Sequence, residues 1–262
     1  MDPGLIVSVD PGVTRIRFTR PEYRNALTRS MCGVLRDALV AAAAAPACRF
    51  VVIEGSGGAF ASGADIAELE RLRAHRAELL AFYRALRDAQ ELLYGLDKIT
   101  IAVIDGFSIG AGLSLALACD LRLATPRSVF SAPPAKIGLI YSDIEVGRLA
   151  LHIGAANARD LLFTGRRVAA DEALRLGLIE RLTASEASDP AETAERALHE
   201  LLEQLATSAP GSLRQTKQQL LRFERAWLGS GSSDAAAEEA FFKADAGEGM
   251  RAFLERRMPR FS

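Results

Sequence analysis

The chain has 262 residues and a formal net charge of −1, and 49% of its residues are hydrophobic and 25% charged. This length suits one large domain or a domain with an appendage, and it can bury a sizeable core. With a pI of about 6.4, the chain has no overall basic field, so we expect no nucleic-acid partner. Any anionic ligand would have to be held by local groups.

Cysteine and histidine usage predicts neither a disulfide framework nor a metal site. The 3 cysteines lie far apart without a Cys-x-x-Cys pair, and the 3 histidines show no metal-ligand spacing. The first ten residues lack the basic start and the long apolar run of a signal peptide. The longest glycine-rich apolar window, residues 106–119, is shorter than the roughly 20 residues that cross a bilayer. We therefore expect a cytoplasmic protein with no membrane partner.

The N-terminal region predicts a hairpin followed by a helix. Two alternating strands, 5–9 and 13–18, flank the turn signal Asp10-Pro11-Gly12. Thr28 is a candidate N-cap for an alanine-rich helix that runs to about Ala45.

A unit of helix, apolar strand, glycine loop and helix then occurs twice, over residues 28–75 and 76–118. In the first copy, the apolar strand 50–55 leads into the glycine-rich turn 56–66. In the second, the stretch Ile99–Asp120 has the same order. This weak internal repeat of roughly 50 residues suggests stacked ββα layers.

The stretch Ile99–Asp120 is the part of the chain that predicts a ligand site. Gly110-Ala111-Gly112 carries no side chain larger than a methyl group, so a ligand can approach the backbone closely. The helix that follows begins with N–H groups that have no partner inside the helix. We interpret this turn as a candidate anion or oxyanion site.

A glycine turn between a strand and a helix is also a dinucleotide-binding signal. Here the spacing is Gly106-x3-Gly110-x-Gly112 rather than Gly-x-Gly-x-x-Gly. The next strand ends in Leu123-Ala124-Thr125, without the acidic residue that binds a ribose. A nicotinamide dehydrogenase is therefore the less favoured hypothesis.

The second half of the chain is increasingly helical. Pro133-Pro134 excludes a central strand or helix interior. We predict helices near 143–152 and 155–163, a short helix ended by Gly177, a last strand at 178–182, and then helices at 189–207, 210–228, 232–245 and 247–257 with a flexible break at 229–233. This composition divides the chain into an α/β core, 1–188, and a helical region, 189–262, that packs on the core, on a partner subunit, or on both.

Taken together, segments spread nearly from end to end resemble the crotonase (enoyl-CoA hydratase/isomerase) superfamily. They are Arg24–Leu27, Phe60–Ile66, Gly106–Ser114, Leu161–Gly165, Ala173–Ile179 and Phe253–Arg257. The resemblance implies an α/β fold, a spiral of repeated ββα turns with a C-terminal helical trimerisation region. It also implies a homotrimer or a dimer of trimers.

The resemblance further implies an acyl-CoA thioester substrate, with no cofactor beyond the CoA moiety itself. The thioester oxygen would sit between two backbone N–H groups, which by position belong to Ala64 and Ala111. The family's CoA contacts fall on Arg24, Ala26, Ala61, Ser62, Gly63, Asp65 and Ile66, and Gly110, Pro133 and Gly138 fall at further site positions. Arg24 would be the local cation for a phosphate.

The chain departs from the family pattern at two positions. Hydratases of this family carry two glutamates that position water and move its proton. By position the first falls on Ser114 and the second on Pro134, and neither residue can serve as a carboxylate acid or base. We therefore do not expect ordinary two-glutamate hydration; a modified hydration, double-bond isomerisation, decarboxylation and another lyase step stay open.

Candidates for the missing acid or base follow Gly138. Tyr141 falls where the family's methylmalonyl-CoA decarboxylases place a tyrosine that orients the leaving carboxylate. Ser142 falls where isomerases and a dehalogenase use an aspartate, Asp143 is one residue further on, and Glu145 is the next carboxylate. Ser142 or Asp143 can equally be a helix N-cap. A third hypothesis is a non-catalytic protein that binds CoA esters.

Overall fold

The computed structural model describes residues 4–184, 190–228 and 234–261. Its strands are β1 (Leu5–Asp10), β2 (Val13–Phe18), β3 (Phe50–Gly55), β4 (Ala59–Ala61), β5 (Ile99–Ile104), β6 (Phe107–Ile109), β7 (Leu121–Ala124), β8 (Val129–Ser131), β9 (Val168–Ala169) and β10 (Arg181–Leu182). Its α-helices are α1 (Arg29–Ala44), α2 (Ile66–Leu72), α3 (Arg76–Tyr94), α4 (Ala111–Leu117), α5 (Asp143–Thr164), α6 (Ala170–Leu176), α7 (Pro190–Ala206), α8 (Pro210–Leu228), α9 (Ala235–Ala240) and α10 (Ala244–Leu254).

From β3 onward, the two strands of each consecutive pair lie in different sheets. One sheet has the order β1-β2-β3-β5-β7-β10, and the other has the order β4-β6-β8-β9. Thus β3, β5 and β7 lie side by side in parallel, and the strands that follow them, β4, β6 and β8, do the same in the second sheet. Each turn of the chain adds one strand to each sheet, which confirms the predicted α/β spiral of ββα turns.

Local signals set several of the observed boundaries. The β1–β2 hairpin is antiparallel, with Asp10 opposite Val13. The Thr28 side chain accepts a hydrogen bond from the Met31 N–H at 3.2 Å and caps α1. Within α5, Gly154 adopts φ 75° and interrupts the helix, as the two predicted segments require. These predictions are confirmed.

The predicted last strand, 178–182, is wrong for most of its length because only Arg181–Leu182 is extended. Gly177 takes a left-handed conformation after α6, and the Leu178 N–H bonds back to Ala173 O at 2.9 Å. This helix-terminating turn uses the residues that would have begun the strand. Of the last two helices, α9 is shorter than the predicted segment 232–245, and α10 begins and ends three residues before the predicted segment 247–257.

The C-terminal helices pack on the α/β core. Along α7, Ala194, Leu198 and Leu201 form one cluster with Val52, Ile101, Val103 and Leu123 of the first sheet. Residues of α8, of α10 and of the segment around Phe241 join the main core. The predicted region boundary at 188/189 and the break at 229–233 lie outside the described residues.

No helix in the described parts of the chain is both long enough and apolar enough to cross a membrane.

A buried ion pair joins α8 to the core. The Lys217 ammonium is 5% exposed and lies 2.7 Å from the Asp120 carboxylate. It also donates to the Lys98 carbonyl at 2.7 Å. Asp120 in turn accepts hydrogen bonds from the backbone and side chain of Thr100. Because the Lys217 ammonium is buried, removing either residue of the pair would leave the other charge without its partner, which destabilises the fold.

We predict that Lys217→Met lowers the free energy of unfolding by about 2 kcal/mol, because the Asp120 carboxylate loses its cation while methionine keeps the packing of the stem. Arg214 on the same helix is the matched control, since its pair with Asp97 is exposed and 3.7 Å long. Arg214→Met should cost less than about 0.5 kcal/mol. Urea unfolding measures both variants; equal effects would contradict the assignment.

Candidate active site

The two glycine loops of the repeat are in direct contact. A methyl group on Gly112 would lie 2.1 Å from the Ala61 carbonyl oxygen, so only glycine fits there. A methyl group on Gly63 would lie 3.3 Å from Ile109 O and 3.8 Å from Ala111 N. The loops therefore approach backbone to backbone, and the predicted oxyanion donors, Ala64 and Ala111, lie on neighbouring segments.

The segment Arg24–Leu27 pairs with the first of these loops. Leu27 N–H donates to Gly63 O, and Asp65 N–H donates to Leu27 O, each at 2.8 Å. This is a parallel bridge between Leu27 and Ala64. Because such a bridge uses the groups of the residues on either side, it leaves the N–H of Ala64 itself unused.

The amide of Ala111 is unused for a different reason. Ala111 is the first residue of α4, where an N–H has no partner inside the helix. The preceding amide, Gly110 N–H, is already bonded to Ser131 O at 3.0 Å. Among the described residues, no hydrogen bond is donated by the N–H of Ala64 or of Ala111. Both residues are partly exposed and pack on the rim of one core.

Asn25 and Arg20 hold the Arg24–Leu27 segment in place. Asn25 is fully buried with φ 54°, and its side-chain amide donates to Ser56 O and Ala59 O. Arg20 donates to Ala26 O at 2.8 Å and pairs with the Asp65 carboxylate at 3.2 Å. That carboxylate also accepts from Glu68 N–H and caps α2, which begins at Ile66. The side chain of Asp65, a predicted CoA contact, is thus occupied within the chain.

The predicted phosphate cation has a neighbour that sequence reasoning missed. Arg24 is exposed, and its guanidinium lies 4.8 Å from the centre of the Phe107 ring. Arg167, from the segment after α5, lies 6.0 Å from the same ring. Two exposed arginines thus share one aromatic ring beside the predicted CoA loop. No sequence signal marks Arg167, since it lies 143 positions from Arg24 in the printed numbering.

Pro133 and Pro134 begin a turn of 3-10 helix that ends at Gly138. A methyl group on Gly138 would lie 2.3 Å from the backbone of Asp245, so α10 packs closely on this turn. Pro134, where the resemblance places the second hydratase glutamate, is buried and has no polar side-chain group. Gly138, a predicted site residue, is thus in close contact with the backbone of α10.

A polar cluster occupies the surroundings of Ser114. Ser114 is 6% exposed and lies in the first turn of α4, where its N–H bonds to Gly110 O at 3.0 Å. The Ser114 side chain interacts with the Tyr141 hydroxyl and with the Glu145 carboxyl group. The hydroxyl of Tyr83, on α3, faces the same carboxyl group. We call these four side chains, Tyr83, Ser114, Tyr141 and Glu145, the polar cluster.

Glu145 enters the polar cluster as part of a capping box at the start of α5. Ser142 caps the helix by accepting from Glu145 N–H at 3.2 Å. The Glu145 Oε2 atom in return accepts from the N–H and the hydroxyl of Ser142, each at 3.0 Å. The sequence pattern Ser-x-x-Glu carries this signal, so Glu145 could have been found before Asp143.

Burial raises the pKa of the Glu145 carboxyl above its usual range, although hydrogen bonds from Ser142, the Ser114 side chain and the charge of Arg148 oppose the rise. Burial also raises the pKa of Tyr141, and the neighbouring charge of Glu145 adds to it. Perturbed carboxyl groups of this kind concentrate at catalytic sites.

Asp143, the other carboxylate that the sequence offered as a candidate, lies elsewhere. It is the first residue of α5 and is exposed. Two positions along a helix are about 200° apart around its axis, so the polar cluster that receives Glu145 is on the other side. The structure brings Tyr141 and Glu145 together with Ser114 and leaves Asp143 at the surface.

Comparisons with known proteins show which family the chain belongs to. The family described as enoyl-CoA hydratase/isomerase matches residues 9–262. A Thermus thermophilus protein, assigned by its name to the enoyl-CoA hydratases, is 38% identical over 262 residues, covering 98% of this chain and 100% of its own. The human mitochondrial enoyl-CoA hydratase domain-containing protein 2 is 34% identical, covering 96% of this chain and 86% of its own.

A solved structure shows the same fold. The crystal structure of an enoyl-CoA hydratase from Mycobacterium avium subsp. paratuberculosis has a TM-score of 0.83 and 27% identity, covering 99% of this chain and 98% of its own. Since the family match spans nearly the whole sequence and the fold agrees, the chain belongs to the enoyl-CoA hydratase/isomerase family, within the crotonase superfamily.

Proposed function

We propose that the chain binds an acyl-CoA thioester and stabilises negative charge on the thioester oxygen with the N–H groups of Ala64 and Ala111. The observation that supports this most is the contact between the two glycine loops, which brings two unused amides onto neighbouring segments. Each preorganised donor would contribute about 2.7–4 kcal/mol to stabilising an enolate oxygen. Methyl side chains at both positions leave room for the substrate.

CoA would lie along the Arg24–Leu27 segment and the loop Ala61–Ile66, which the Leu27–Ala64 bridge aligns. Arg24 would meet a phosphate, and Arg167 provides a second cation beside Phe107. No further cofactor enters the proposal, because CoA arrives as part of the substrate.

The reaction that fits these residues passes through an enolate and needs one proton-transfer group. With serine at 114 and a buried proline at 134, we do not propose two-glutamate hydration. Double-bond isomerisation fits best, since it breaks a C–H bond at the α carbon and returns the proton at the γ carbon. Decarboxylation is the second candidate, favoured by the buried Tyr141 hydroxyl that forms no hydrogen bond of regular geometry within the described residues.

A panel of CoA esters in D₂O tests the class of reaction. We expect deuterium to enter the α carbon of a 3-enoyl-CoA, together with formation of the 2-enoyl-CoA, both followed by NMR. Loss of CO₂ from a malonyl-type ester would favour the decarboxylase. Binding of every ester by calorimetry, with no turnover and no exchange, would show the non-catalytic alternative and contradict the proposal.

Removing a single donor tests the role of the amides. Ala111→Pro deletes one N–H at the first position of a helix, where proline is tolerated. We expect kcat to fall about 10²- to 10³-fold, while the affinity for free CoA stays close to that of the unmodified protein. Ala111→Gly, which keeps the N–H, is the matched control. A proline variant with an unchanged kcat would contradict the role of this amide.

We also propose that the chain forms a homotrimer or a dimer of trimers through its helical region. Leu220, Phe223 and Trp227 recur along α8 at helical spacing and are 55%, 65% and 54% exposed. A stripe of large apolar side chains of this size is typical of an interface.

Light scattering tests the assembly. We expect a mass of three or six chains for the unmodified protein and a smaller mass for Trp227→Glu, since a buried charge would oppose association. Glu203, exposed on α7, provides the control Glu203→Gln, which should keep the assembly. A single-chain mass at micromolar concentration would contradict it.

A further inference from the structure

We infer that Glu145 is the residue that moves a proton to and from the bound acyl group, from α5 rather than from the positions of the two missing glutamates. This inference rests on the proposed function. It concerns which side chain of the polar cluster does the chemistry.

The first support is position. Glu145 interacts with the side chain of Ser114, which occupies the place of the first hydratase glutamate. Ser114 lies one turn beyond Ala111 on α4, tied to that turn by its bond to Gly110 O. A carboxyl group that reaches Ser114 from α5 thus approaches the same end of α4 that carries the proposed amide donor.

The second support is orientation. Both hydrogen bonds that Glu145 receives from Ser142 go to Oε2, at 3.0 Å. Ser142 itself is 3% exposed, so these two hydrogen bonds are shielded from solvent. The capping box therefore fixes the side chain and leaves Oε1 outside it. A proton-transfer group needs this combination of a fixed stem and an available oxygen.

The third support is two buried hydroxyl groups. The hydroxyls of Tyr83 and Tyr141 are shielded from solvent and lie near Ser142 and Ser114, respectively, but neither hydroxyl forms a hydrogen bond of regular geometry within the described residues. Tyr83 is 8% exposed as a whole. Buried polar atoms are almost always paired, so these two indicate that a polar atom of a ligand completes the cluster beside Glu145.

Polar and charged side chains surround Glu145. They are Tyr83 of α3, Ser114 of α4, Arg148 of α5 and, just before α5, Tyr141 and Ser142. Arg148 favours the carboxylate, but it is itself held by Glu91 at 2.8 Å and lies 3.9 Å from the centre of the Tyr94 ring. Burial outweighs these effects and raises the pKa of Glu145, which makes its carboxylate a stronger base towards a weakly acidic C–H bond.

The proton transfer balances without another reactant. The Glu145 carboxylate takes a proton from the α carbon of a 3-enoyl thioester, and the C–H electron pair moves into the enolate held by the two amides. The neutral carboxyl group exchanges its proton with solvent in a fraction of turnovers and then delivers a proton to the γ carbon; delivery back to the α carbon accounts for the deuterium expected there. The β,γ π electrons take up the proton at the γ carbon, the enolate electrons form the α,β double bond, and Glu145 is again a carboxylate.

The test compares carboxylates on one helix. Glu145→Gln should lower kcat and the rate of α-deuterium exchange about 10²- to 10⁴-fold, while calorimetry gives a CoA-ester affinity within about threefold of the unmodified protein. Asp160→Asn is the matched control, because Asp160 lies on the same helix and pairs with Arg166 at its surface. Asp143→Asn should lower the rate far less than Glu145→Gln.

Three outcomes separate this inference from the proposed function. If Glu145→Gln keeps more than about a tenth of the rate while Ala111→Pro loses it, the inference fails and the oxyanion site stands. If Asp143→Asn has the large effect instead, the role belongs to the exposed carboxylate and the inference is wrong. If the unmodified protein neither exchanges nor turns over any ester, both the function and the inference fall.

A pH series gives an independent readout. Because the pKa of Glu145 is raised in the folded protein, its contribution to stability is present at low pH and is lost as the pH rises through the folded-state pKa. We expect Glu145→Gln, which cannot ionise but keeps the capping contacts, to gain stability relative to the unmodified protein as the pH rises above the ordinary pKa of a glutamate carboxyl group. Thermal unfolding at a series of pH values measures the difference in stability. A variant that loses stability relative to the unmodified protein as the pH rises would contradict a raised pKa for Glu145.

Discussion

The structure depends on a backbone-to-backbone contact between two loops that lie 50 positions apart in the sequence. Gly112 packs on the Ala61 carbonyl, and Gly63 packs on the chain around Ala111, with no side chain between them. The parallel pairing of β4 and β6 brings the loops to this position. Any larger residue at Gly112 would push the loops apart, because the atom it would meet is a backbone oxygen that cannot move alone.

This contact explains why small residues, rather than charged ones, mark the centre of the site. Backbone N–H groups are useful to a ligand only if nothing covers them and nothing else accepts from them. The bridge between Leu27 and Ala64 uses the flanking groups, and the start of α4 leaves the N–H of Ala111 without a helical partner. In the proposed site, these two amides would serve as a pair of donors without placing a charge among apolar residues.

In the polar cluster a carboxyl group lies beside Ser114, the position at which the family resemblance places the first hydratase glutamate. Glu145 belongs to a capping box that stabilises the start of α5, and the same side chain faces Ser114. The cap compensates part of the cost of keeping the carboxyl group away from water. A residue with both roles ties the position of the acid or base to the formation of its helix. Residues at active sites often lower the stability of the folded protein because the activity requires them.

Short-range signals in the sequence predicted what short-range physics decides. The Asp10-Pro11-Gly12 turn, the Thr28 cap and the interruption at Gly154 were all visible, because each depends on a few neighbouring residues. The second strand of each pair, β4 and β6, was not visible as a strand, because three residues are too few to show alternation. Only the internal repeat and the family resemblance implied a second strand in each unit.

The sequence predicted which segments contribute to the site, but not which side of each helix faces it. The resemblance placed Ala64 and Ala111 on matching loops, and the structure brings those loops together. Sequence position could not say which side of α5 faces Ser114, so Asp143 and Glu145 both stayed candidates; in the structure the Glu145 side chain reaches Ser114 and Asp143 is exposed. Tyr83 and Arg167 were missed because tertiary packing alone brings them near the site.

Infrared spectroscopy of a bound thioester labelled with carbon-13 at its carbonyl measures the central claim directly. If the amides of Ala64 and Ala111 donate hydrogen bonds to that oxygen, the carbonyl stretch of the bound thioester lies at a lower frequency than that of the thioester in water. The difference between the two frequencies is smaller in Ala111→Pro. A bound thioester whose carbonyl absorbs at its frequency in water would contradict the account.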